Sequence, residues 1–207
     1  VERAALLVDA PRPGSWTVGT VSSTHPETPS GRSIWIDVPE WPGNIAGQHV
    51  DVRLTAPDGY QASRSYSLAS SGPEPRLQLA VDKLPDGEVS PYLVDDIQPG
   101  DMLELRGPLG GWFVWKQDQT EPVQLIAGGS GVVPLVAMIR AHAASRSTAP
   151  MQLVYSVRTP EDRFFSDELG QLGNVTYAYT RAGPAESVIG PLTKEAAAGR
   201  FLFPLPE

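Results

Sequence analysis

Arg64-Ser65-Tyr66-Ser67 is the stretch on which the reading of this chain turns. On an extended strand alternate side chains share a face, so Arg64 and Tyr66 point one way and Ser65 and Ser67 the other. A guanidinium beside a phenol ring suits a ligand that carries both a phosphate and a flat ring system. The guanidinium fork matches phosphate oxygens, and the ring stacks on a π-face. The same four residues also fit an ordinary polar strand with one outward Arg and a half-buried Tyr. The flanking sequence has to separate the two readings.

Outward from this stretch, strand patterns recur at 17–24, 33–38, 48–55, 62–69, 76–83 and 102–106. In 33–38, for example, Ile34, Ile36 and Val38 alternate with Ser33, Trp35 and Asp37. Turn signals stand between the runs at 26–31, at 39–47 and at Pro57-Asp58-Gly59, the last reading as a hairpin loop. Six short strands joined by turns predict a small antiparallel β-barrel or sandwich, whose mouth is free for a ligand. One helix interrupts it: Ser90 reads as the N-cap, Pro91 as the first helical residue, and Pro99-Gly100 as the stop after 92–97. The turn before it contains Gly87, Glu88 and Val89. A glycine turn feeding a capped helix start is suited to phosphate, and equally it is how a helix is capped for its own stability. Gly107-Pro108-Leu109-Gly110-Gly111 then reads as the turn that takes the chain out of the barrel.

Beyond 117–121 the period changes. The mostly apolar run 123–127 suits a strand of a parallel sheet covered on both faces, and it runs straight into Gly128-Gly129-Ser130-Gly131. In 132–144, Val132, Leu135, Val136, Ile139 and Ala143 fall on one helical face. Strand, glycine turn and helix form the first half of a dinucleotide-binding unit, with Pro134 in place of the third glycine of the usual fingerprint. A glycine turn that merely lets a strand meet a helix has the same look. A second strand at 152–157, a helix carrying Phe164, Phe165, Glu168 and Leu169, and a third strand at 175–180 follow at crossover spacing. At the end of the second strand stand Ser156 and Arg158, with no evident acidic residue to take ribose hydroxyls. An arginine there suits a 2′-phosphate, which favours NADPH over NADH, and it also suits a solvated loop. The expected division is residues 1–118 for the barrel and 119–207 for the α/β domain.

Composition narrows the function. The 207 residues include no cysteine, so disulfides, cysteine nucleophiles and cysteine-held iron-sulfur clusters are excluded within this chain. Its three histidines are far apart. A net charge of −8 argues against nucleic acid and anionic membrane surfaces as partners. With no apolar run of membrane-spanning length and no leader pattern at Val1-Glu2-Arg3-Ala4, the expectation is a soluble, cytoplasmic protein.

The order of Arg64-Ser65-Tyr66-Ser67, Gly87-Glu88-Val89-Ser90, Gly107-Pro108-Leu109-Gly110 and Gly128-Gly129-Ser130-Gly131-x-x-Pro134 resembles the ferredoxin reductase superfamily of flavin oxidoreductases. The resemblance implies an antiparallel six-stranded flavin-binding barrel followed by a parallel-sheet nucleotide domain. It implies that Arg64 holds a flavin phosphate, Tyr66 packs on the isoalloxazine, and Ser67 lies near the reactive ring nitrogen. Ser65, Gly87, Glu88, Val89 and Ser90 complete the flavin site, while Gly129, Ser130, Gly131 and Pro134, with Ser156 and Arg158, serve the nicotinamide nucleotide. FAD is implied rather than FMN, with hydride transfer from NAD(P)H and delivery to a separate acceptor, such as an iron-sulfur protein, an oxygenase component or a small molecule. The family's closing Cys-Gly-Pro type segment has no counterpart in 190–207, which leaves a second expectation open: an incomplete second domain, and a flavin-binding module without efficient turnover.

Overall fold

The computed structural model describes residues 15–185, 187, 189 and 190. The first domain is a six-stranded antiparallel sheet formed by β1 (Trp16–Thr28), β2 (Gly31–Asp37), β3 (His49–Thr55), β4 (Gln61–Ser67), β5 (Arg76–Asp82) and β6 (Met102–Leu109). Their spatial order is β4-β3-β6-β1-β2-β5. The two ends of that order meet at an antiparallel bridge between Leu68 and Leu79, which closes the sheet into a barrel. Alternation fills it: Ile34, Ile36, Val50, Val52, Leu77, Leu79, Leu103 and Leu105 are all fully buried in one apolar core.

Three local expectations are corrected. Residues 26–28 belong to β1 and are not part of a turn: Pro26 pairs with Arg32 beside a register shift, where the ladder tolerates a missing N–H. Residues 107–109 likewise continue β6, so the chain leaves the barrel at Gly110. The segment after Ser90 winds as a single π-helical turn, Tyr92–Asp96, with Leu93 buried in the barrel core.

The second domain is a parallel sheet in the order β7 (Val123–Gly128), β8 (Met151–Val157), β9 (Val175–Tyr179). Helix α1 (Val133–Ala144) supplies the crossover, and α2 (Ser166–Gly170) lies between β8 and β9. The core of this domain takes in Leu125, Leu135, Val136, Ile139, Leu153 and Tyr155, and it also takes in Ala46, Ala69 and Ala80 of the barrel. The two domains are therefore packed through shared apolar surface. No helix among the described residues is long and apolar enough to cross a membrane. The expectation of a missing closing segment falls on 190–207, of which only Gly190 is among the described residues.

Candidate functional site

The β3–β4 hairpin sets the first half of the site. Its loop is closed by Ala56 N–H donating to the Tyr60 carbonyl and Gly59 N–H to Ala56, with Gly59 at φ 88°, so that β4 pairs with β3 in fixed register. Arg64 stands opposite Val52 and Tyr66 opposite Val50, on the face of the buried valines. Tyr66 packs partly against the barrel core. Its burial pushes the phenol up to about 12, with the Arg64 charge pulling the other way, so it remains a neutral ring at ordinary pH. Ser65 faces the other side, where its hydroxyl donates to Asp51 Oδ1, directly across the ladder. Asp51 Oδ2 also accepts both Nε and Nη2 of Arg106. The Ser65 bond, then the Arg106 guanidinium, hold the Asp51 carboxyl below its usual range against the cost of burial.

The structure joins Arg64 to the turn that precedes the π-helical segment. Arg64 Nη2 forms an ion pair with Glu88 Oε2, and its Nη1 donates to the Ser63 carbonyl at 2.7 Å. Glu88 also accepts the Tyr60 hydroxyl; that bond first, and Arg64 second, keep its carboxyl below the usual range. Ser90 is buried and does not cap the helix: its hydroxyl accepts the Leu84 N–H at 3.0 Å, closing the turn that holds Gly87 and Glu88. Beside Glu88 lies a mainly apolar cavity of about 510 Å³, walled by Tyr60, Ala62, Tyr92 and Met102. Tyr60 and this cavity were not legible in the sequence, where Tyr60 is simply the residue after a hairpin turn.

The second half lies at the carboxyl ends of the parallel strands. Gly128 is extended, Gly129 turns at φ 51°, and 129–132 make a short 3₁₀ turn into α1, with Pro134 buried in its first turn. A Cβ built on Gly128, Gly129 or Gly131 would meet no heavy atom within 4 Å. Packing therefore does not require these glycines. Gly128 sits opposite Ser156 in the β7–β8 register, and Gly129, Ser156 and Arg158 line one cavity of about 300 Å³. Thr28 and Asp82 of the barrel contribute to the same wall, so the cavity lies where the two domains meet.

An acidic residue is present there after all. Asp162 lines the cavity, accepts from Arg158 Nη2 at 2.7 Å, and closes a capping box with Thr159. It lies four residues past Arg158, beyond the strand end where an acid was looked for. The only signal for it in the sequence is the Thr159-Pro160-Glu161-Asp162 helix start.

A family model described as the oxidoreductase FAD-binding domain matches residues 41–114, and one described as the oxidoreductase NAD-binding domain matches 125–187. Over 128 residues the chain is 33% identical to the propane 2-monooxygenase reductase component of Rhodococcus jostii (strain RHA1), which covers 61% of this chain and 34% of that protein. It is 34% identical, again over 128 residues, to methane monooxygenase component C of Methylosinus trichosporium, covering 62% of this chain and 36% of that one. The matched stretch thus spans about a third of either relative. Among solved structures, the flavohem-like FAD/NAD-binding domain of nitric oxide dioxygenase from Vibrio cholerae O1 biovar El Tor superposes with a TM-score of 0.76. That likeness covers 88% of this chain and 81% of the other at 22% identity, and it speaks to the fold.

Proposed function

Because this chain carries FAD-binding and NAD-binding oxidoreductase domains of the ferredoxin reductase type, we propose that it is an FAD-dependent NAD(P)H reductase that passes electrons to a separate acceptor. The observation that carries the reading is the cavity lined by Gly129, Ser156 and Arg158. It lies at the carboxyl ends of a parallel sheet, where open α/β sheets take nucleotides, and barrel residues form part of its wall. The open space over Gly129 and Gly131 supports close approach of a pyrophosphate, with Ser130 and Pro134 shaping the turn.

On the barrel, the residues fit a flavin dinucleotide. Tyr66 offers a neutral ring partly embedded in the core, Arg64 an exposed guanidinium, and Ser67 a hydroxyl at the end of the same strand. The turn of Gly87, Glu88, Val89 and Ser90 stands beside Arg64, and the apolar cavity next to it has room for a second ring system, which favours FAD over FMN. When bound, the flavin supplies the chemistry, taking a hydride and releasing electrons singly or in pairs. The chain supplies position, a phosphate anchor and exclusion of water, so it needs no acid-base pair. The Ser65 hydroxyl faces the other side of the strand and donates to Asp51, so in this reading its side chain braces β4.

Two readings of the nucleotide remain. Arg158 supports NADPH, while Asp162, which pairs with it in the same cavity, supports NADH by accepting ribose hydroxyls. The reductase components among the relatives support an oxygenase or iron-sulfur protein as acceptor, with a small molecule as the alternative. Anaerobic mixing of the FAD-loaded protein with NADH and with NADPH tests the reading. Rapid bleaching of the flavin absorbance is expected with at least one of them. A protein that binds FAD and is bleached by neither is a flavin-binding module.

A further inference from the structure

A closed ring of hydrogen bonds crosses the boundary between the domains. On α1, Arg140 donates from Nε and Nη2 to the two Glu168 oxygens at 2.8 and 2.6 Å. Its Nη1 donates across the boundary to Gln78 Oε1 on β5 at 2.6 Å and to the Ala69 carbonyl at 2.9 Å. Gln78 Nε2 donates to Ser33 Oγ at 3.1 Å, and Ser33 Oγ donates to Glu27 Oε1 at 2.7 Å. Glu27 Oε2 then accepts the backbone N–H of Phe165 at 2.9 Å, and Phe165 opens the helix that carries Glu168. The ring leaves the second domain at Arg140 and re-enters it at Phe165.

Several features set this ring apart from a surface ion pair. Arg140 uses four donor contacts in a bidentate fork and two cross-domain bonds, a geometry that only a guanidinium provides. Ser33 and Gln78 are buried, so each needs its partner. Phe165 holds φ 55°, the single positive φ outside glycine among the described residues, and its ring lies 5.2 Å from the Arg140 guanidinium carbon. A bulky residue keeps that backbone only where its surroundings enforce it.

The ends of the ring matter for chemistry. Arg140 is on the helix that begins at the Gly129–Pro134 turn, and Ala69 lies two residues past Ser67. We propose that Arg140 is a positioning residue: through Ala69 and Gln78 it fixes the nucleotide turn relative to the flavin-binding strand, and so sets the donor-to-acceptor distance for hydride transfer. The inference rests on the reductase reading. A displacement of about 1 Å in a reacting pair costs on the order of 10²-fold in rate.

The test uses the full FAD-loaded chain and the variants Arg140→Ala, Arg140→Lys and Gln78→Met, the last keeping volume but removing the acceptor. Three quantities are read: FAD affinity, the single-turnover bleaching rate with saturating nucleotide, and hydrogen exchange at the Phe165 amide. Expected are FAD affinity within about threefold of the parent, bleaching slowed by about 10²-fold in Arg140→Ala and Gln78→Met, and faster Phe165 exchange in both. Lysine, lacking the fork, is not expected to rescue. Bleaching at the parental rate in Arg140→Ala and Gln78→Met overturns the proposal, and so does loss of bound FAD in parallel with rate, which marks a merely structural role. If the parent itself is never bleached while Phe165 exchange still responds to Arg140→Ala, the ring couples the domains and the reductase reading falls instead.

Discussion

The Arg64 and Glu88 side chains are 54% and 44% exposed, and an ion pair so open to solvent contributes little to the fold. A charge-assisted bond from Arg64 to a phosphate is worth about 1.5–3 kcal/mol. Arg64→Ala is therefore expected to weaken FAD binding by roughly 10- to 150-fold with little change in melting temperature, as flavin fluorescence titration and thermal unfolding would show. Glu88 competes for the same guanidinium and would place its carboxylate near a bound phosphate. Glu88→Gln is expected to move affinity the other way, tightening FAD severalfold. Ser65 belongs to stability. Asp51 is held below the usual carboxylate range chiefly by the Ser65 hydroxyl. A depressed carboxyl stabilises the fold at any pH above its unfolded value, and the gain disappears as pH falls through the folded one. Removing the hydroxyl in Ser65→Ala should thus raise the pH at which acid unfolding begins, while FAD affinity at neutral pH stays as it was.

At the scale of elements, the glycine turn between β7 and α1 separates two reasons for a glycine. Gly129 needs its residue type for the backbone, at φ 51°, whereas Gly131 has neither a positive φ nor a neighbour for a Cβ to strike. Gly131→Val should accordingly fold, keep FAD, and lose nucleotide binding by at least about tenfold, because the side chain would occupy the approach to the pyrophosphate. Equal loss of FAD in equilibrium titrations would refute the division of labour. Most strands and helix α1 were legible, since alternation and helical spacing report directly on which residues face a core; α2 begins only at Ser166, so Phe164 and Phe165 precede the helix expected to carry them. What failed was punctuation. Pro26 and Gly107-Pro108 read as breaks, yet each lies inside a strand at or near a register irregularity, a feature that depends on the partner strand. Ser90 read as a cap because its neighbour is proline; its hydroxyl is taken instead by Leu84, six residues back.

At the scale of the molecule, the sequence carries almost no sign of how the domains meet. Arg140 reads as a polar position on an amphipathic helix, and its partners Ala69 and Gln78 lie 71 and 62 residues away. Gly31 reads as a turn glycine, but its role is contact: a Cβ there would overlap the Phe164 ring of the second domain and the Thr28 hydroxyl. Phe164 is fully buried and has nowhere to move. Gly31→Ala is expected to destabilise by about 1–3 kcal/mol as an overpacked contact, measured by denaturant unfolding.

The pairing of Trp16 with Arg106, at opposite ends of the first domain's sequence, fixes a schedule as well as a shape. During synthesis nearly all of the barrel must emerge before its first strand can find its second neighbour, whereas β7 and β8 each pair with the next strand to appear. The early strands wait longest with unpaired edges. By the time α1 leaves the ribosome, Ala69 and Gln78 have already been made, so the barrel's side of the domain boundary is synthesised before the helix that docks on it.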